Sequence, residues 1–561
     1  MAALRLALAQ LNVTVGDLDG NRRLIAEAIR RAQAWRADVV MVPELAIAGY
    51  PPEDLLLKPQ FVEANRQALE RLRPLARGIV ALVGFVDRDR QGRLYNATAV
   101  LAQGRLSAVY RKRYLPNYGV FDEKRYFTPG QQPLLITVGG VRCGITICED
   151  LWEMRPCQEL ASLGAQVVLN TSASPYHAGK MRLRERLFAQ RARRNRLAVA
   201  YCNVVGGQDE LVFDGASLVL DAHGRLLVRG AQFRDDLLVF DVTQAHAGPG
   251  SKTKTARSLS GPSPERPALP RVARRTLASL EEIYEALLLG VRDYVRKNGF
   301  STVVLGLSGG VDSALTACLA VDALGPAHVM GLVMPSRYSS AATQQDAKQL
   351  GAALGIAVQE VSIEPMFRVA LKTLTPFFAG QAEDVTEQNL QARIRGMILM
   401  AFSNKFGWLV LTTGNKSEIA TGYCTLYGDM VGGFAVIKDV PKMLVYQLAR
   451  YRNQRGPGTP IANSVLQRPP SAELARHQTD QDTLPPYEML DRLLKSYVEE
   501  NRSLCQMVHD EYLDPSTVRR VIRMVDHAEY KRRQGAPGIK ITPRAFGRDR
   551  RMPITNRYHQ A

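Results

Sequence analysis

Seven cysteines in 561 residues are few, and odd in number. None of their spacings forms a CxxC or a paired Cys/His pattern, which excludes a disulfide scaffold and a structural zinc module. A reducing cytoplasm is the expected setting. No apolar run approaches the ~20 residues that a membrane helix requires, so no membrane partner is expected. The opening MAALRLALAQLNV breaks its apolar residues with Arg5, Gln10 and Asn12 and offers no small-residue cleavage site, so it reads as a first strand rather than a signal peptide. The 30 prolines and 44 glycines are dispersed, without repeat or low-complexity bias, and long disorder is excluded. Acid is the scarcer charge, 54 Asp and Glu against 73 Lys and Arg, a net of +19. Such an excess suggests an anionic partner: nucleic acid, a membrane surface or a phosphorylated small molecule.

The excess is local. Residues 182–196 carry seven Arg against Glu185, +6, and residues 519–557 carry twelve basic against three acidic residues, +9, together 15 of the 19. Tyr530 and Phe546 are too few in the second cluster to stack bases, so no nucleic-acid partner is expected. Small phosphorylated substrates suit the C-terminal cluster better, and residues 182–196 read as a solvated helix or a subunit contact.

The chain is too long for one ordinary core. Residues 4–11 alternate as a strand, residues 21–35 carry Leu24, Ala28, Ile29 and Ala32 at helical spacing, and residues 38–42 form a short buried-type strand. Further strand-like runs at 79–85, 97–101, 142–147, 166–170, 197–202, 217–221 and 237–242 predict an α/β domain over residues 1–245. Residues 246–275, rich in Gly, Ser, Pro and Lys without hydrophobic period, read as a linker. A second domain over 276–561 opens on a capping box, Ser279-x-x-Glu282, with Gly299 closing the helix. Its alternating strands (302–307, 329–334, 408–412) and helices (313–324, 341–354, 387–406) imply a parallel, doubly wound sheet.

In that domain an apolar strand runs into Ser308-Gly309-Gly310-Val311-Asp312-Ser313, which opens a helix. Paired glycines let backbone N–H groups approach a phosphate, and the helix N-terminus favours negative charge. The lysine of a GxxxxGK[ST] loop is absent, as is a GxGxxG fingerprint. The segment resembles the pyrophosphate loop of the N-type ATP pyrophosphatases, which split ATP between the α and β phosphates to adenylate a substrate. Magnesium would need carboxylate oxygens, and Asp312 is one candidate. Glu418, in Leu411-Thr-Thr-Gly-Asn-Lys-Ser-Glu418, is the other, again at the carboxyl end of a strand where ligands bind in such sheets.

In the first domain three reactive residue types stand out: Glu44 in VPEL, Lys112 in YRKRYLPNY and Cys148 in GITICEDLW. Cys148 ends an apolar strand, and a thiol needs a base and a nearby cation to act as a nucleophile. Cys143 faces the opposite way by strand period and is expected in the core. Spacing alone does not join the three residues.

The order P-E44, K112-x-x-L-P, C148-E149-D-x-W resembles the Glu-Lys-Cys triad of the nitrilase superfamily, an αββα sandwich, over residues 1–245. SGGVDS, TTGNKSE, YGD and the tail KRRQGAPGIKITPRAFGRDRR are similar to the NAD synthetases, whose sheet is of the adenine nucleotide alpha hydrolase type. The two together resemble the glutamine-dependent NAD synthetases. That resemblance implies glutamine hydrolysis by Glu44, Lys112 and Cys148, with Tyr118, Ser174 and Lys180 holding the glutamine. It assigns ATP, the co-substrate, to Gly306, Leu307, Ser308, Gly309, Gly310, Val311, Asp312, Ser313 and Thr413. It assigns deamido-NAD to Asn389, Glu418 and Lys531, and Mg2+ to Asp312 and Glu418. The resemblance also places Asp429 and Lys442 near the nucleotide and the reacting centre. A dry passage for ammonia and a homo-oligomer are also implied. Alternative readings are another nitrilase-coupled amidotransferase or a tRNA-modifying pyrophosphatase-loop enzyme.

Overall fold

The strand Leu4–Gln10 carries apolar residues at both parities and is buried along its whole length, as a strand covered on both faces must be. The computed structural model describes residues 4–243, 246, 257–258, 266–269, 275–378, 380–456, 458–511 and 514–558. Two compact units meet in sequence between Leu277 and Ala278.

The first unit stacks two sheets. One has six strands in the order Asp236–Val242, Leu4–Gln10, Val39–Met41, Val80–Arg88, Leu94–Ala102, Arg105–Arg111. The other has seven, Leu226–Arg229, Leu218–Leu220, Ala198–Asn203, Val167–Ser172, Val141–Ile147, Leu134–Val138 and Arg257–Ser258. Leu6, Leu8, Met41 and Leu82 of the first sheet share a core with Ile145, Ile147, Leu169 and Ala200 of the second. Val168, one parity away from Leu169, belongs to a separate outer core with Leu160 and Phe188 of the helices Met154–Ser162 and Lys180–Asn195. The helices Leu18–Ala34 and Pro59–Leu72 cover the six-stranded sheet, completing an αββα sandwich.

Cys143 lies in the core between the sheets, but Cys148 joins the same core. Strand parity does not separate them, because Cys148 lies beyond the strand in a left-handed turn with φ 39°. Most of residues 246–275 lies outside the described residues. The described parts are attached to the first unit rather than forming a free tether: Arg257–Ser258 pairs with Ile136 and Thr137, Arg266 bonds both oxygens of Asp38 at 2.8 and 2.9 Å, and the Pro267 carbonyl accepts from Arg5.

The second unit holds five parallel strands in the order Ala357–Glu360, Val329–Val333, Val303–Gly306, Leu409–Thr412, Phe434–Ala435. The two outer strands escape a hydrophobic reading: the first is largely exposed and the second is two residues long. Val304, Leu332 and Val410 pack on one face with residues of the helices Glu364–Leu374 and Val385–Phe406. The helix Val311–Leu324 packs against the helices Ser279–Lys297 and Lys442–Arg455. The chain begins in the middle of this sheet and extends first to one side, then to the other, so the order switches beside Val303–Gly306, where a crevice opens in such folds.

The capping box expected at Ser279 does not form. Ala278 is the N-cap, without a side-chain bond, and Ser279 lies inside the first turn, where Glu281 and Glu282 suit the helix dipole instead. Gly299 does close the helix, with φ 80°, its N–H on Arg296 O and the next N–H on Val295 O, a Schellman closure. A helical lobe built on Leu490, Leu494, Val518, Ile522 and Val525 packs against Ala420. Truncating the inter-sheet layer with Ile145→Ala is expected to cost about 3 kcal/mol, read as a lower denaturation midpoint of the first unit; an unchanged midpoint would show that this layer does not hold the sheets.

Candidate active sites

The strand Val141–Ile147 delivers Cys148, buried and in a conformation that non-glycine residues adopt only under strain, the kind of strain that gathers at functional sites. Lys112 Nζ donates to Glu44 Oε1 at 2.6 Å and to Glu123 Oε1 at 2.7 Å. Asn96 Nδ2 donates to Glu44 Oε1 at 2.7 Å, the Ala173 N–H donates to Glu44 Oε2 at 2.8 Å, and the Tyr50 hydroxyl donates to Glu123 Oε1 at 2.8 Å. Asp150 accepts from the backbone N–H groups of Arg113, Tyr114 and Ile147. It thereby ties the segment after Lys112 to the end of the strand that carries Cys148.

Burial alone would strip Lys112 of its proton, but Glu123 and Glu44 outweigh it and hold Lys112 well above the ordinary lysine range. Burial raises Glu123 to about 7, against the pull of Lys112. Burial, then Glu44, push the Cys148 thiol well above its usual value, and Lys112 pulls it back. The resting group is therefore a thiol, and Glu44 is the charge that acts on it most strongly. Glu123 carries no periodicity or motif that would single it out in sequence. Asn96, a buried polar residue in an apolar strand, does stand out on inspection.

Tyr118, half exposed, donates its hydroxyl to both oxygens of Glu149 at 3.0 and 3.1 Å. Lys180 Nζ donates to the Pro175 carbonyl at 2.6 Å and lies 5.7 Å from the Trp152 ring centre. Burial raises Glu149, while Tyr118, Lys112 and Lys180 lower it, so these residues converge on the neighbour of Cys148. The Ser174 N–H donates to Asn203 Oδ1 at 2.9 Å.

In the second unit, residues 308–313 leave the strand Val303–Gly306 and enter the helix Val311–Leu324 at the N-cap Gly310. Gly309 has φ 78°, and a Cβ there would lie 2.2 Å from the Thr343 carbonyl oxygen, so only glycine fits by conformation and by space. Ser313 Oγ donates to Gly310 O at 3.0 Å and receives the Ser308 N–H at 3.3 Å. Arg468, absent from the sequence reading, anchors the loop through Gly309 O at 3.2 Å and pairs with Asp346 at 2.5 Å. Leu307 is buried and Gly306 partly so. On the adjacent strand Leu409–Thr412, Thr413 follows the last residue and Asn415 caps the helix Lys416–Thr421 with a capping box to Glu418.

The two strand ends are bridged. Asn415 Nδ2 donates to Asp312 Oδ1 at 2.8 Å, and Lys442 Nζ reaches Asp312 Oδ2 at 2.6 Å and Glu418 Oε1 at 3.1 Å. Burial pulls Lys442 down, but Asp312 and Glu418 win and hold it above its usual range. Burial pushes Glu418 up to about 8 even so. Among the described residues no three His, Cys, Asp or Glu side chains are grouped to hold a metal. Asp312 and Glu418, which share the Lys442 ammonium, are the carboxylates at these strand ends whose oxygens could hold a magnesium ion.

Asn389 Oδ1 accepts from Thr425 Oγ1 at 2.7 Å, and the Thr425 N–H donates to Asp429 Oδ1 at 2.6 Å. Lys531 Nζ donates to the carbonyls of Gly422 and Cys424, both at 2.8 Å. Asp429, Lys531 and Glu418 all act on the Cys424 thiol, so these residues gather around the segment following the Glu418 helix. Beside it a groove of about 610 Å³ is lined by Arg519, Arg520, Arg523, His527 and Lys531, with no Asp or Glu among its described lining residues. The C-terminal basic cluster is thus divided: Arg532, Lys540 and Arg550 are buried in ion pairs with Glu529, Asp549 and Asp526. Residues 182–196 differ from a solvated helix as well, since Arg184 and Arg191 are buried.

A carbon-nitrogen hydrolase family model matches residues 5–250 and an NAD synthase family model residues 283–535. The chain is 47% identical to the glutamine-dependent NAD(+) synthetase of Thermotoga maritima, covering 100% of both chains, and 48% identical to that of Xanthomonas campestris pv. campestris, covering 99% of this chain and 98% of the relative. A solved structure of a glutamine-dependent NAD+ synthetase from Acinetobacter baumannii in complex with adenosine diphosphate matches with a TM-score of 0.77 at 40% identity, covering 99% of each chain. On both unit folds and on identity over the full length, the chain belongs to the glutamine-dependent NAD(+) synthetase family.

Proposed function

We propose that the chain amidates deamido-NAD to NAD with ATP, taking the nitrogen from glutamine and releasing glutamate, AMP and pyrophosphate. The observation that carries this reading is the Lys442 bridge between Asp312 and Glu418, at the mouths of adjacent strands beside a glycine-rich loop.

In the first unit Glu44 takes the Cys148 proton and the thiolate attacks the side-chain amide carbon of glutamine. Lys112, kept charged by its two carboxylates, balances the oxyanion. Collapse of the tetrahedral species breaks the C–N bond, ammonia leaves with the proton held by Glu44, and water then hydrolyses the thioester to glutamate. Tyr118, Ser174 and Lys180 hold the glutamine.

In the second unit a carboxylate oxygen of deamido-NAD attacks the α-phosphorus of ATP and the bond to pyrophosphate breaks. Residues 306–313 and Thr413 hold the nucleotide, with the N-terminus of the helix Val311–Leu324 facing its phosphates. Lys442 balances charge at the strand ends. A magnesium ion held by Asp312 and Glu418 would supply further charge neutralisation on the phosphates. Neutral ammonia then attacks the acyl carbon of the adenylate, and AMP leaves. Asn389, Glu418 and Lys531 position the dinucleotide. The acid-free groove of Arg519, Arg520 and Arg523 beside Lys531 favours a substrate with several phosphate charges.

Cys148→Ala should abolish NAD formation from glutamine and leave ammonia-supported synthesis within about twofold; parallel loss of both would refute the assignment of the two chemistries. AMP and pyrophosphate should appear in equal amounts with NAD, and ADP in their place would overturn the adenylation step. Removing the Glu123 charge with Glu123→Gln weakens the hold on the Lys112 proton, so the alkaline limb of glutamine kcat/KM should move to lower pH by about one unit. A limb that stays in place would separate Glu123 from the function of Lys112. Arg519→Ala with Arg523→Ala should raise KM for deamido-NAD about tenfold and leave that for ATP unchanged.

A further inference from the structure

The helix Lys180–Asn195 buries an arginine, Arg184, at 1% exposure, the bulkiest fully buried side chain among the described residues. Its guanidinium pairs with Asp214, itself fully buried, and donates to the Tyr201 hydroxyl at 3.4 Å. Asp214 Oδ1 accepts from Asn203 Nδ2 at 3.3 Å, and Asn203 Oδ1 accepts the backbone N–H of Ser174 at 2.9 Å. The Ser174 side chain lies beside the Tyr201 hydroxyl, whose pKa burial raises and Ser174 pulls down. Contacts run from Ser174 through Asn203, Asp214 and Arg184 to Tyr201, and the Ser174 side chain beside Tyr201 completes a ring, with every member 2% exposed or less.

Such a ring is a costly way to fill a core. It sits against Phe188, whose ring centre lies 5.0 Å from that of Tyr201, where well-packed apolar side chains would serve stability at least as well as a buried ion pair. What a closed polar ring provides and an apolar core does not is a single geometry for the atoms at its edge. The edge here consists of Ser174 and the helix that begins at Lys180, one turn before Arg184.

We propose that the ring Arg184–Asp214–Asn203–Ser174–Tyr201 is the positioning device of the glutamine pocket: it fixes Ser174 directly and Lys180 through the helix that carries Arg184. The inference rests on the reading of Ser174 and Lys180 as glutamine contacts. None of Arg184, Asp214, Asn203 and Tyr201 is a catalytic residue; they act through the side chains they hold. The device also accounts for one basic residue of the cluster 182–196 by an internal partner, Asp214, with no bound anion needed.

The test compares glutamine-supported with ammonia-supported NAD formation in the full-length protein carrying Tyr201→Phe, Arg184→Met or Ser174→Ala. Tyr201→Phe removes one oxygen and keeps the aromatic contact with Phe188, so it carries the test even where Arg184→Met leaves Asp214 unpaired and fails to fold. Tyr201→Phe and Ser174→Ala should each raise KM for glutamine about tenfold with kcat for glutamine within about threefold, and Tyr201→Phe should leave ammonia-supported activity unchanged. A purely structural role would lower kcat with the fraction of folded protein and leave KM in place. Tyr201→Phe with an unchanged KM, beside a Ser174→Ala variant whose KM rises, would overturn the ring while sparing the glutamine pocket. An unchanged KM in Ser174→Ala would overturn the pocket assignment itself, and the proposal with it.

Discussion

A buried lysine ammonium held between two carboxylates organises each of the two sites. Lys112 lies between Glu44 and Glu123, and Lys442 between Asp312 and Glu418. Desolvation would neutralise either lysine alone, and either carboxylate pair alone would be pushed towards its protonated form. Together they keep a fixed positive charge in a dry place, which is where charge does most for a reaction that develops negative oxygen. The compensation is uneven in both sites: Glu123 and Glu418 remain raised, to about 7 and about 8.

The two sites reach this arrangement from different scaffolds. In the first unit the charges sit at the end of the inter-sheet core, where Asp150 ties a strand end to the segment after Lys112 by three backbone N–H groups. In the second the charges stand at the carboxyl ends of neighbouring parallel strands, on either side of the point where the strand order switches, with Asn415 bonded across to Asp312. The helical lobe around Leu490 and Val521 seats the Glu418 helix from behind through Ala420.

The basic excess of the chain is spent in three physically distinct ways. Some arginines are buried as structural ion partners, as Arg184 is with Asp214 and Arg550 with Asp526. Others, such as Arg225, reach a buried carboxylate from the surface. Arg519, Arg520 and Arg523 line one groove whose described lining residues include no Asp or Glu. Net charge alone does not distinguish these uses, because burial and pairing are set by which segments fold over one another.

Much was legible in the linear chain. Strand and helix periods showed two α/β halves, since burial on one or both faces writes itself into every second or every third to fourth residue. The loop SGGVDS was legible because its geometry needs glycine locally, and Gly309 meets that need twice over. The closing turn at Gly299 was legible for the same reason, whereas the start at Ser279 was misplaced by one residue because Ser279 and Ala278 compete for the cap and the fold selects Ala278. The roles suggested for Glu44, Lys112 and Cys148 came from order along the chain and resemblance. The Glu44–Lys112 contact and the charge both bring to bear on Cys148, the second carboxylate Glu123, the Asp312–Lys442–Glu418 bridge, the Arg468 anchor and the ring behind Ser174 exist only in the folded chain. These are contacts between residues from 11 to 159 positions apart, made strong by exclusion of water, and neither separation in space nor loss of water is encoded in local period or propensity.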